Sequence, residues 1–497
     1  MIKPLSLLAG MGLYALPCNG HAVSLQMHSQ AWTEAGRIMH ATDTLQTNFN
    51  GNWEQSMGMQ VNGAVDLGEN LEGGFGFGMN QVYHSLGDLQ QEKFTLSKFI
   101  DYVSEARVTY FLGEKANPVF SATLGDFAFD YHPEVKNLGL YLFRGPVYPG
   151  FLVSGFEDFH TDTTRAAFLG LHLHHSLGRF QQDLIISSER DLPPSFDWSL
   201  GYVAKYRPVD GLEFGAGVNF YHLLPDNADI TTPSNRAVPG LFSKDSSLIA
   251  AGGPVDPYQL QYMEVVSPGD TVVYTHQGTK VMAMFDIDFK KVFGSSSPAL
   301  GKKDLILYGE GAIIGIKNQG TIYAHIGDRI PVMLGFNLPA MGWLDFLSVE
   351  VERYTAKYKA DYSKLGYDQS LYFKNIAPPP LLVKKQPSAI PISTLDLAGN
   401  RYTVTPDGDF VNIQTGQVIK VKGTALDPEN LTADDWKWSL NAEKTVAGHV
   451  RFSGQIANDH FVPRPVRGGL ITETSGLSQV FSSLRDWYVM GRVGYFF

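Results

Sequence analysis

Cysteine is nearly absent: Cys18 is the only one among 497 residues. It lies in a short apolar piece at the N-terminus, so disulfides and thiol chemistry are excluded for the rest of the chain. Long apolar runs are missing too. No stretch of 18 apolar residues follows the N-terminus, which excludes a helical membrane protein. Charged residues make up only 18%, below the usual quarter for a soluble protein. No basic run is longer than the pair Lys384-Lys385, and the formal net charge is -11, so nucleic acid is not an expected partner. Also missing are G-x-S-x-G, H-E-x-x-H and any phosphate-binding glycine loop. No catalytic residue and no cofactor is assigned, and the chain is expected not to be an enzyme. No repeat of fixed period argues for a propeller or a solenoid.

What is present is alternation. Hydrophobic residues reach 44% and aromatics 12%, yet mean hydropathy is only -0.10. A sheet with one apolar and one polar face averages out in this way. The final stretch shows it best. Phe497, Tyr495, Val493, Gly491, Val489 and Trp487 fall on one face of a strand, and Phe496, Gly494, Arg492, Met490 and Tyr488 on the other. Aromatics at both ends with aliphatics between them suit a strand that crosses a bilayer between two interfacial belts.

The N-terminus reads as a signal peptide over residues 1–22. Lys3 is its positive end, Pro4 to Pro17 its apolar centre, and Gly20-His21-Ala22 the small-residue cleavage site. From residue 23 onward alternating segments recur as strand, short turn, strand, long loop. The first is Val23 to Thr33. The clearest pair follows: Met57, Met59, Val61, Val65 and Leu67 lead through Gly68-Glu69-Asn70 into Leu71, Phe75, Phe77 and Met79. The series predicts roughly sixteen antiparallel strands, within fourteen to eighteen, in an all-β up-and-down barrel. A polar, proline-containing stretch over about 359–433 interrupts it and is expected to be an extracellular insert of partial order, with Tyr402-Thr403-Val404 and Phe410 to Val421 strand-like.

The terminal signature and the strand rhythm resemble Gram-negative outer-membrane β-barrels of the porin kind. The resemblance implies export through the Sec pathway, short periplasmic turns, long extracellular loops, and contact with outer-membrane lipid and lipopolysaccharide. It also implies recognition of Trp487, Val489, Val493, Tyr495 and Phe497 by the barrel-assembly machinery, and passive passage of small hydrophilic solutes or ions. Trimers are common in that family, but no residue here requires a homo-oligomer. The insert departs from ordinary porins and motivates a rival, a display or adhesion barrel whose loops bind a partner or polysaccharide. An outer-membrane hydrolase is a third reading.

At about sixteen strands the interior is too wide for wall side chains to fill. The inward set predicted by alternation carries Asp101, Glu105, Glu213, Asp286, Asp288, Glu350 and Glu352 against Arg107, Lys205, Arg451 and Arg492. Their acidic excess predicts a mild cation preference; wall salt bridges are the structural alternative. Inward glycines Gly74, Gly76, Gly78, Gly215 and Gly217 mark either strand curvature or a backbone folded into the pore. The loop Asp130 to Thr164, rich in aromatics and carrying Tyr131, Tyr141, Arg144 and Tyr148, is the expected constriction loop. His172 and His174 share a strand face, but the sequence places no carboxylate near them, so no metal is assigned. Asp158 with Asp162, and Asp434 with Asp435, are acidic loop pairs to which no calcium is assigned.

Overall fold

The computed structural model describes residues 17–18, 21–22, 24–40, 53–85, 95–143, 166–188, 197–224, 263–267, 270–273, 278–294, 299–316, 326–353, 394–395, 401–404, 410–412, 418–419, 436–458 and 484–497. Sixteen strands hydrogen-bond in sequence order into a closed antiparallel barrel. They are β1 (Ser24–His40), β2 (Trp53–Gly68), β3 (Leu71–Ser85), β4 (Thr95–Glu114), β5 (Asn117–Phe129), β6 (Ala166–Leu177), β7 (Phe180–Ser188) and β8 (Trp198–Val209). The second half comprises β9 (Leu212–Leu224), β10 (Gly278–Asp288), β11 (Ile306–Ile313), β12 (Val332–Asn337), β13 (Phe346–Arg353), β14 (Trp436–Val446), β15 (Val450–Ala457) and β16 (Trp487–Phe496).

Closure falls where the C-terminal alternation places it. β16 pairs with β1 from Trp487 opposite His40 to Phe496 opposite Gln30. Phe497 extends the seam, its N–H donating to the Ser29 carbonyl at 2.9 Å and its carbonyl accepting from Ser29 N–H at 3.0 Å. A closed ring leaves no backbone edge unpaired, which is the condition for a sheet in hydrocarbon. β1 runs to His40, seven residues beyond the expected Thr33.

The outer surface is apolar, and its aromatics collect at the two rims. Trp53, Trp198 and Trp436, each exposed, open β2, β8 and β14 at the end that carries the long connections. Tyr110, Tyr206, Phe214, Trp343, Tyr495 and Phe497, also exposed, sit at the short-turn end. Two belts separated by aliphatics match the two polar–apolar boundaries of a bilayer. No described helix is long and apolar enough to cross a membrane.

Register departs from simple alternation at one informative place. A bulge in β4 pairs Gly76 with Glu105 but the next residue, Phe77, with Val103, leaving Ser104 extra. Parity before the bulge is therefore reversed. The predicted inward position Asp101 pairs instead with Met79, in the set that carries Phe77; its side chain lies outside the described residues. β10 ends at Asp288, and Lys290 lies in the one-turn helix Phe289–Val292 that follows. Within the insert, four short strands (Thr394–Leu395, Arg401–Val404, Phe410–Asn412 and Val418–Ile419) form their own antiparallel sheet.

Candidate functional site

The hydrophobic core of this molecule is inside the ring. After β5 the chain turns into the lumen, where Tyr131, Val135, Leu138, Leu140, Tyr141, Leu142 and Phe143 are buried in one cluster with wall residues including Phe168, Ile185, Val203, Met284, Tyr308 and Met333. Of the four expected constriction-loop residues, Tyr131 and Tyr141 are in this packing. Arg144 and Tyr148 lie outside the described residues, as do Asp158, Asp162, Asp434 and Asp435.

A segment folded into a barrel must find partners for its backbone N–H groups, because it forms no ladder. Here wall carboxylates supply them. Glu350 on β13 accepts the N–H groups of Lys136 at 2.6 Å, Asn137 at 2.8 Å and Leu138 at 3.0 Å. Tyr308 OH donates to the same carboxylate at 3.0 Å. Glu310 on β11 accepts Leu140 N–H at 3.0 Å, Tyr141 N–H at 2.8 Å and Tyr131 OH at 2.8 Å. Glu352 accepts Tyr141 OH at 2.9 Å. On β9, Asn219 donates to the Leu142 carbonyl at 3.2 Å.

His132 joins the two acidic strands. Its Nε2 lies 3.1 Å from Asp286 and its Nδ1 3.4 Å from Glu310, and its ring is fully buried against Tyr131 and Tyr308. Burial alone would lower its pKa, but the carboxylates of Asp286 and Glu310 outweigh that and raise it to about 9. At neutral pH the imidazole is therefore a cation clamped between two acids.

The predicted wall charges whose side chains are described thus take different roles. Asp286, Glu350 and Glu352 hold the loop. Asp288 caps the helix that follows β10, accepting from Lys290 N–H at 3.1 Å and Lys291 N–H at 3.4 Å. The rest form pairs along the wall. Arg107 bonds Glu105, Glu72 at 3.2 Å and Thr109 at 2.7 Å. Glu213 takes Lys205 at 3.3 Å and Arg207 at 2.6 Å. Arg451 lies 3.7 Å from Glu443, and the Arg492 guanidinium lies over the Trp32 ring at 4.9 Å. Arg107 and Glu105 each keep a quarter of their side-chain surface exposed, away from the described loop residues 130–143. Beside them runs a polar ladder in which Gln60 donates to Asn62 at 2.8 Å and Ser104 at 2.9 Å.

The inward glycines serve side chains rather than an approaching backbone. A Cβ on Gly217 would meet Leu142 of the loop at 2.7 Å, and one on Gly201 would meet Phe143 at 2.9 Å. On β3, Gly74 makes room for Glu105 and Arg107 and Gly76 for Ser104 and Asn62; on β9, Gly215 makes room for Met284. Two residues absent from the sequence expectations carry much of the site. Glu310 was hidden because Leu305-Ile306-Leu307-Tyr308 is apolar on both faces. Asp183, discussed below, corrects the expectation that no carboxylate stands near His172 and His174.

A closed ring of sixteen strands with a loop folded inside is a porin-like barrel. No protein-family model matches the chain, and no curated protein matches it. Solved structures do. A triple variant of Rh. blastica porin aligns over 95% of this chain and 100% of its own length, with 8% identity and a TM-score of 0.37. A second variant of that porin aligns over the same shares with 9% identity and a TM-score of 0.36.

Proposed function

We propose that the chain is an outer-membrane channel of a Gram-negative bacterium, passing small hydrophilic solutes or ions by diffusion after export through the Sec pathway. The observation that carries the reading is the loop anchored inside the ring. A sixteen-strand barrel leaves a wide lumen, and a segment packed against β6–β13 narrows it toward one flank. The remaining passage runs beside Glu72, Glu105, Arg107, Gln60 and Asn62, whose charges and dipoles meet water. Because Asp286, Glu310, Glu350 and Glu352 are engaged with the loop, the acidic excess at the passage is smaller than a count of inward acids suggests, and cation preference is correspondingly weak. The terminal residues Trp487, Val489, Val493, Tyr495 and Phe497 serve as the signal to the barrel-assembly machinery, and the aromatic belts meet lipid and lipopolysaccharide.

Purified protein added to a planar bilayer is expected to give discrete, steady conductance steps; a folded barrel without steps would overturn the proposal. The four-stranded sheet within residues 394–419 favours one second reading, display of a ligand-binding loop. Loop-dependent binding by a silent barrel would select it.

A further inference from the structure

β6 and β7 form a hairpin whose register is set by Leu177 opposite Phe180. Counting back equally from that turn puts His174 directly opposite Asp183, and His172 shares its face two residues away. Three potential ligands are therefore brought together on the inward side of the wall by pairing alone. His172 Nε2 and His174 Nδ1 each lie 2.8 Å from the same oxygen, Asp183 Oδ1. The ligand atoms of all three lie within 4.8 Å of one another. Two different ring nitrogens converge on one point, and the His172 ring is held by Phe129 at 4.9 Å and Phe127 at 5.6 Å between centroids. The side chains of His172 and His174 keep 17% and 23% of their surface exposed, and Asp183 keeps 10%, so water reaches the cluster from the lumen.

We propose that His172, His174 and Asp183 bind a first-row divalent cation of borderline softness, such as Zn²⁺, on the lumen wall beneath the inserted loop. Two imidazoles and one carboxylate are the ligand chemistry that such ions take, with lumen water completing the coordination. Metal bonds of about 2.0–2.2 Å require ligand atoms roughly 3.3 Å apart. The present 2.8 Å contacts open to that spacing by small side-chain rotations without moving the strands. Without metal the same atoms satisfy each other as hydrogen bonds, so the site is held ready in either state.

The test titrates purified, metal-stripped barrel in detergent with Co²⁺, whose visible absorption reports bound nitrogen ligands. One equivalent is expected to bind, to be displaced by Zn²⁺, and to weaken at least about 100-fold in His172→Gln, His174→Gln and Asp183→Asn. In the unsubstituted protein, Zn²⁺ is expected to protect His172 and His174 from diethyl pyrocarbonate while His28 and His449, both exposed, stay reactive. That arm needs no variant to fold. Absence of a one-equivalent site, or binding unchanged in all three variants with no protection, overturns the proposal. Neither readout depends on conductance, so the site and the channel reading stand or fall separately.

Discussion

Glu350 and Asn137 are 213 residues apart in the chain, yet the Glu350 carboxylate accepts the Asn137 backbone N–H at 2.8 Å. With the adjoining N–H groups of Lys136 and Leu138, this makes one buried side chain the anchor of a whole turn of loop.

Removing that anchor is the most direct test of the architecture. Glu350→Ala leaves three N–H donors and Tyr308 OH without their acceptor, at about 1–3 kcal/mol for each group left unsatisfied, not additively. The barrel itself keeps its strand pairing. The expected outcome is a folded barrel with larger, noisier conductance and faster proteolysis near residues 136–143. Glu350→Gln is expected to fare little better, because half of its amide donates where donors already stand.

The His132 clamp gives the loop a pH dependence of definite sign. An unfolded histidine titrates near 6.5, and here the pKa is about 9. The stabilisation from the charged ring is therefore complete below pH 6.5 and lost as pH rises through 9, a difference of about 3 kcal/mol. Conductance noise recorded from pH 6 to 10 is expected to rise across that window. In His132→Gln the noise is expected to be high already at pH 6 and flat thereafter.

Gly217 is a test of the fit between wall and loop. Gly217→Ala places a methyl 2.7 Å from Leu142, which is fully buried, so either the loop or the strand shifts; overpacking of this kind costs about 1–3 kcal/mol. Gly491→Ala meets nothing within 4 Å and is expected to be close to neutral. Heat-modifiable migration on gels compares the two melting points.

Deleting Phe497 removes both hydrogen bonds to Ser29 and the last outward aromatic of the rim. The expected outcome is a marked fall in folded barrel recovered from the outer membrane, with Phe497→Ala intermediate because its backbone bonds survive. A yield for Phe497→Ala equal to that of the unsubstituted protein would remove the assigned role of the terminal side chain.

The barrel was legible in the sequence because most of its sixteen strands alternate between an apolar and a polar face, and parity alone then requires an even ring. Alternation faded where the inner face meets the loop instead of water. Around Ile306 and Tyr308 both faces are apolar, so Glu310 carried no pattern to mark it. Asp101 shows the other limit: a single extra residue at Ser104 reverses every assignment before it, and nothing in the composition of β4 announces the bulge. Asp183 was within reach. Its distance from the turn at Leu177–Phe180 equals that of His174, and the pairing follows from counting. The contribution of individual carboxylates was the least accessible, since selectivity and loop anchoring place the same residue types on the same face.

The inserted loop also sets the mechanics of the cylinder. Its packing stiffens the arc from β6 to β13 as an internal strut stiffens one side of a tube, while β1 to β4 are joined by their ladder bonds and by side-chain bonds such as Arg107 to Glu72 and Gln60 to Ser104. In a bilayer that thickens, thins or presses laterally, the deformation is expected to concentrate in the arc from β1 to β4. The aperture is then expected to change by that wall moving against the anchored loop.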